Sequence, residues 1–126
     1  MPIKSGKTML KKDILRNKDD FAAIYKRGRS IGERYIVLFY RKNNLSYNRT
    51  AFLASKKVGN SVVRNRARRL MRESYRFVRD DMRTGYDLIF IARNTIKGRK
   101  FCDVQKSLNN AVRKAKLYNG ARGDDK

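Results

Sequence analysis

Residues Lys56–Arg72 read KKVGNSVVRNRARRLMR. The basic residues are Lys56, Lys57, Arg64, Arg66, Arg68, Arg69 and Arg72, and no acid interrupts them before Glu73. Like charges three or four apart on a helix each cost about 0.2–0.5 kcal/mol. The stretch therefore needs a reason to fold and a reason to be charged. Winding residues 61–79 at about 100° per residue supplies the first. Val63, Ala67, Leu70, Met71, Ser74, Phe77 and Val78 gather on one arc. Arg64, Asn65, Arg68, Arg69, Arg72, Arg76 and Arg79 take most of the other side, with Arg66 and Glu73 near a boundary. Each large apolar side chain that is fully buried contributes about 1.5–3 kcal/mol, so a few outweigh the charge rows.

The charged side asks for an anion. Guanidinium groups grip phosphate oxygens as planar forks and stack on bases, which ammonium groups do not. Asn60 at the expected N-cap adds free backbone N–H groups and the positive helix end. A face that only aids solubility would mix its charges, and this one is nearly single-signed. A basic amphipathic helix also suits a membrane surface or a calmodulin-type partner, but the strands flanking this one argue for an integrated fold.

The rest of the chain agrees. It has 126 residues, enough for one domain with one core. Against 33 Lys and Arg stand 11 Asp and Glu, so the net charge is 33 − 11 = +22. Such self-repulsion is relieved by a polyanion, most commonly nucleic acid. The single cysteine, Cys102, fits a reducing cytoplasm, and the lack of histidine removes the commonest general base and zinc ligand. No apolar run is long enough to span a bilayer, and no secretory signal opens the chain.

Residues 1–16, with Lys4, Lys7, Lys11, Lys12 and Arg16, read as a basic, partly disordered arm. Asn17 caps a short helix with Asp19 and Asp20 in its first turn and Phe21, Ile24 and Tyr25 on one face, and Gly28 stops it. YIVLFY (Tyr35–Tyr40) and RTAFLAS (Arg49–Ser55) read as strands, the second returning antiparallel to the first. YDLIFIA (Tyr86–Ala92) is a third. Phe101, Val104, Leu108, Ala111, Val112 and Ala115 recur at helical spacing. The domain is then 17–118, with a loose tail over 119–126, and the class is α+β, a small sheet with helices packed on it.

The block SKKVGNSVVRNRARRLMRE (Ser55–Glu73), centred on Arg64-Asn65-Arg66, resembles the signature of the bacterial ribonuclease P protein family. FAAIYKRG (Phe21–Gly28) and ERYIVLFY (Glu33–Tyr40) resemble its first helix and following strand. DLIFIAR (Asp87–Arg93) and SLNNAVRKA (Ser107–Ala115) resemble its last strand and helix. The matches fall in the right order over most of residues 15–118.

That resemblance implies the protein subunit of a ribonucleoprotein endonuclease that removes the 5′ leader of precursor tRNA. Catalysis would reside in the RNA subunit, which would also hold most of the Mg2+. The expected partners are the catalytic RNA and precursor tRNA, with no membrane, no obligate protein partner and a cytoplasmic setting. The implied fold is αβββαβα with the arginine helix in a left-handed βαβ crossover, where the general rule favours a right-handed one. Lys56, Lys57, Asn60, Arg64, Asn65, Arg66, Arg68, Arg69 and Arg72 would face the catalytic RNA. Phe21, Tyr25, Phe39, Val37, Leu53 and Ser55 would line a cleft for the single-stranded leader, where bases stack on aromatic faces. Periodicity alone reads Phe21 and Tyr25 equally well as core. Val37, Leu53 and Ser55 share a face by strand alternation. A self-sufficient metal-dependent nuclease would have to use the pairs Asp19-Asp20 and Asp80-Asp81. Both fall at expected helix ends, where capping accounts for them.

Overall fold

The computed structural model describes residues 10–119. Its elements run α1 (Lys18–Arg27), β1 (Arg29–Gly32), β2 (Ile36–Lys42), β3 (Arg49–Leu53), α2 (Ser61–Val78), β4 (Tyr86–Ala92) and α3 (Phe101–Lys114), the expected αβββαβα order. Among the described residues the strands form one four-stranded sheet in the order β1-β2-β4-β3.

Strand β4 takes a central place because it is apolar on both sides, with Leu88, Ile89 and Phe90 fully buried. It pairs antiparallel with β2 and parallel with β3, and α2 crosses between the parallel pair. This revises the expected pairing. β3 does run opposite to β2, but β4 lies between them. The connection is held open for it: Asn43 Nδ2 donates to Asp87 Oδ1 (2.9 Å), and Tyr86 N donates to Asn48 Oδ1 (2.8 Å). Strand β1, from Arg29 to Gly32, has only Ile31 as a large apolar residue, so alternation could not reveal it. It is drawn into the sheet by pairing with β2, from Arg29↔Tyr40 to Gly32↔Val37.

Both faces of the sheet are covered. Helices α2 and α3 bury Leu70, Met71, Val104, Leu108 and Val112 against Leu38, Leu88 and Phe90. On the other face α1 places Ile24 over Ala51 and Ile89, joined by Leu15. Residues 10–16, read as part of the basic arm, are seated here. Leu15 is buried, and its N–H donates to the Thr50 carbonyl (3.0 Å), so the segment covers part of the β3 edge. At the other end, Asn119 of the expected loose tail donates from its backbone N–H to the Asp81 carbonyl (2.9 Å). Residues 1–9 of that arm and 120–126 of that tail lie outside the described residues.

The arginine-rich helix has the predicted two faces with one exchange. Ala67, Leu70, Met71, Ser74, Tyr75 and Val78 are buried, whereas Phe77 is 47% exposed and meets Phe101 edge-on at 5.5 Å. Tyr75 goes inward because Phe52 and Phe90 offer it ring contacts at 5.8 and 5.6 Å. Its hydroxyl accepts from Thr50 Oγ1 at 3.3 Å, and burial pushes the phenol above the ordinary tyrosine range. The unfolded chain ionises this group near pH 10 while the folded chain keeps its proton. The stability so gained is complete below pH 10 and is lost as pH rises through the folded value. Thermal melts across that window should fall more steeply for wild type than for Tyr75→Phe. Parallel curves would mean that Tyr75 does not set the alkaline limit.

Candidate nucleic-acid interface

The arginine ridge is launched by a tight turn. Val58 is buried and donates its N–H to the Ser55 carbonyl (3.0 Å), which leaves Lys56 and Lys57 exposed. Gly59 is required next: a Cβ there would lie 2.8 Å from Val63 Cβ. Asn60 caps α2, its Oδ1 accepting from Val63 N (3.0 Å).

Several cations are then held in place. Arg64 donates from Nε to the Gly59 carbonyl (3.2 Å), and Arg66 donates from Nη2 to the Arg99 carbonyl (2.9 Å). Arg68 donates to Asn65 Oδ1. Arg69 and Arg72 are exposed, and Arg72 lies over the Phe52 ring at 5.6 Å. Such tethers lower the side-chain entropy lost when a phosphate is gripped.

The predicted cleft residues come together on the opposite face. Helix α1 crosses the strands: its first turn sits at β3, where Arg49 Nη1 reaches Asp20 Oδ2 (3.0 Å), and its end sits at β2. Gly28 permits this, because a Cβ there would stand 2.7 Å from the Tyr40 carbonyl oxygen. Arg49 also holds Asp87 with both arms of its fork, Nε to Oδ1 at 2.8 Å and Nη2 to Oδ2 at 2.7 Å. Hydrogen bonding to Asp87 is the main reason the guanidinium is held above its ordinary pKa, and its burial opposes the shift.

Seated this way, α1 puts Tyr25 edge-on to Phe39 at 5.1 Å, with Phe21 6.4 Å from Tyr25. Tyr25 is 45% exposed, and its partial burial raises the phenol pKa. Val37, Ile91 and Leu53 form one lateral row, so the two predicted residues flank a third, Ile91, that sequence reasoning did not assign. Only the strand order brings it there. Ser55 departs from the expectation, because β3 ends at Leu53. Ser55 belongs to the turn, where its hydroxyl accepts from Lys57 N (3.3 Å). A groove of about 300 Å³ at the β3 edge is lined by Leu15, Phe21, Leu53, Phe52 and Arg72, so the aromatic cleft and the arginine helix share a border.

Of the paired acids, Asp20 has its carboxylate held by the fold. It is bound by Arg49, and the backbone N–H of Asp19 donates to the Asn17 cap (2.7 Å). The Asp81 carbonyl receives Asn119. Among the described residues no three His, Cys, Asp or Glu side chains gather to hold a metal ion, and no helix is long and apolar enough to cross a membrane.

The family model described as Ribonuclease P matches residues 9–116. The ribonuclease P protein component of Clostridium botulinum strain Langeland is 44% identical over 111 residues, which cover 87% of this chain and all of that one. A Staphylococcus aureus RNase P protein mutant with defective mRNA degradation activity superposes with a TM-score of 0.80. It is 31% identical, over 86% of this chain and 92% of that one. The RNase P protein from Thermotoga maritima reaches 0.70 at 31% identity, over 77% of this chain and 92% of that one. An arginine-rich helix beside an aromatic cleft, on this fold and with these relatives, leads to one conclusion: the chain belongs to the ribonuclease P protein component family, the RNA-binding subunit of an endoribonuclease of tRNA processing.

Proposed function

We propose that the exposed face of α2 binds the catalytic RNA of ribonuclease P while the cleft under α1 binds the 5′ leader of precursor tRNA. Lys56, Lys57, Asn60, Arg64, Asn65, Arg66, Arg68, Arg69 and Arg72 supply the first surface. Phe21, Tyr25, Phe39, Val37 and Leu53 supply the second, with Ser55 at its margin. The observation that carries this reading is the shared border, where Arg72 and Phe21 line one groove. Two RNA strands held on either side of it are brought into register while fixed cations offset their repulsion. Bases stacking on Tyr25 and Phe39 contribute roughly 1–3 kcal/mol each with little sequence preference, which suits leaders of varied sequence.

In this reading phosphodiester hydrolysis and the Mg2+ it requires fall to the RNA subunit. The setting is the cytoplasm. Cleavage of precursor tRNA at low Mg2+ tests this with protein alone, catalytic RNA alone and the mixture. The protein alone should be inert and the mixture much faster than the RNA. Tyr25→Ala should weaken binding of leader-bearing precursor about tenfold and leave mature tRNA binding unchanged. Cleavage by the protein alone would overturn the subunit reading. Equal losses for both tRNAs would move the leader elsewhere.

A further inference from the structure

A further basic concavity lies beyond the Tyr25 end of the cleft, with a lining of its own. It has a volume of about 420 Å³ and is bounded by Arg27, Arg29, Tyr40, Arg41, Lys42 and Tyr86. These residues meet where α1 ends, β1 and β4 begin and β2 finishes. The amino end of α2 is at the opposite end of the sheet, since it follows β3, which runs parallel to β4, and Arg66 reaches Arg99 beyond the close of β4. The length of β4 separates the two, roughly 20 Å at about 3.3 Å per residue.

The cations here are unused by the fold. Arg27, Arg29 and Lys42 are exposed. Among the described residues none of these three, nor Arg41, makes an ion pair or a side-chain hydrogen bond. Arg41 shows why. Its cross-strand neighbour is Asp87, and Arg49 on the other side of Asp87 takes both carboxylate oxygens. Like charges gathered without acids repel one another, so the cluster is stabilised by an anion. Tyr40 and Tyr86 are half-buried in the same hollow and offer rings as well as charge.

We propose that this hollow is a third RNA-binding site, taking a single-stranded segment with its phosphates on Arg27, Arg29, Arg41 and Lys42 and a base against Tyr40 or Tyr86. The volume falls in the range of small-ligand pockets, roughly 300–1,000 Å³. Unpaired bases are what an aromatic hollow can take, whereas a duplex hides its base faces. The site does not depend on the leader cleft and would hold RNA even if that cleft did not.

The test uses the full chain and a single-stranded oligouridylate carrying 4-thiouridine, long enough to reach both ends of the sheet. Ultraviolet crosslinking and peptide mapping should find adducts at Tyr40 or Tyr86. In parallel, Arg29→Glu with Lys42→Glu should weaken binding about tenfold. The salt slope should fall by roughly 1.4, the equivalent of two single-strand phosphate contacts. Lys106→Glu with Arg113→Glu, an equal charge change on the exposed side of α3, should weaken binding no more than about twofold. Equal weakening by both pairs would reduce the effect to overall charge and overturn the proposal. So would adducts confined to the cleft and α2. The crosslinks need no variant, so misfolding of the substituted chain cannot rescue or sink the result.

Discussion

Replacing Asp87 with alanine is expected to lower the thermal midpoint by about 12 °C, more than any exposed substitution. Asp87 is buried to 4% exposure and receives both arms of the Arg49 fork and the Asn43 amide. Removing one partner of a buried pair costs about 3–5 kcal/mol, because the other charge is left without compensation. Arg49 keeps 24% of its side chain in solvent, so the lower end of that range applies. One kcal/mol shifts the midpoint of a domain this size by about 4 °C. Asp20→Ala removes the outer partner, 33% exposed, and should cost less than about 1 kcal/mol. Circular-dichroism melts of the two variants check the order. If Asp87→Ala melts within a few degrees of wild type, the Arg49 clamp is not what seats α1. The clamp matters for binding because α1 carries Tyr25 to Phe39.

Arg64→Ala combined with Arg66→Ala should weaken binding of the catalytic RNA about 10²–10³-fold at moderate salt. A charged hydrogen bond contributes roughly 1.5–3 kcal/mol, and each lost phosphate contact should also reduce the salt slope by about 0.9. Both side chains are tethered to backbone carbonyls, so they meet a phosphate already oriented. Neither tether lies in the core. The double variant should therefore melt within about 4 °C of wild type, with some of the like-charge strain on α2 relieved. Binding by filter retention across a salt series separates the outcomes. Unchanged affinity with an unchanged slope would take the ridge out of the RNA interface.

Much of this molecule can be read in the chain itself. Asn17 and Asn60 are caps because their side-chain oxygens suit free helical N–H groups, and the structure shows both in that role. The two faces of α2 and the buried stripe of α3 follow from spacing, and β4 from its unbroken apolar run. Phe21 and Tyr25 share a face of α1 by spacing, and their rings lie 6.4 Å apart. These features are local: a helix or strand sorts its own side chains by its repeat, whatever it later packs against.

Tertiary structure decided the rest. A six-residue connection permits β2 and β3 to pair, yet β4 has the apolar surface to occupy the middle and separates them. Tyr75 rather than Phe77 entered the core because Phe52 and Phe90 stood opposite it. Ile91 reached the cleft, and Arg41 lost Asp87 to Arg49, only once three strands were laid side by side. Periodicity determines which side of an element seeks cover. Which neighbour covers it depends on contacts between distant residues, and those are set by competition for the most apolar surface.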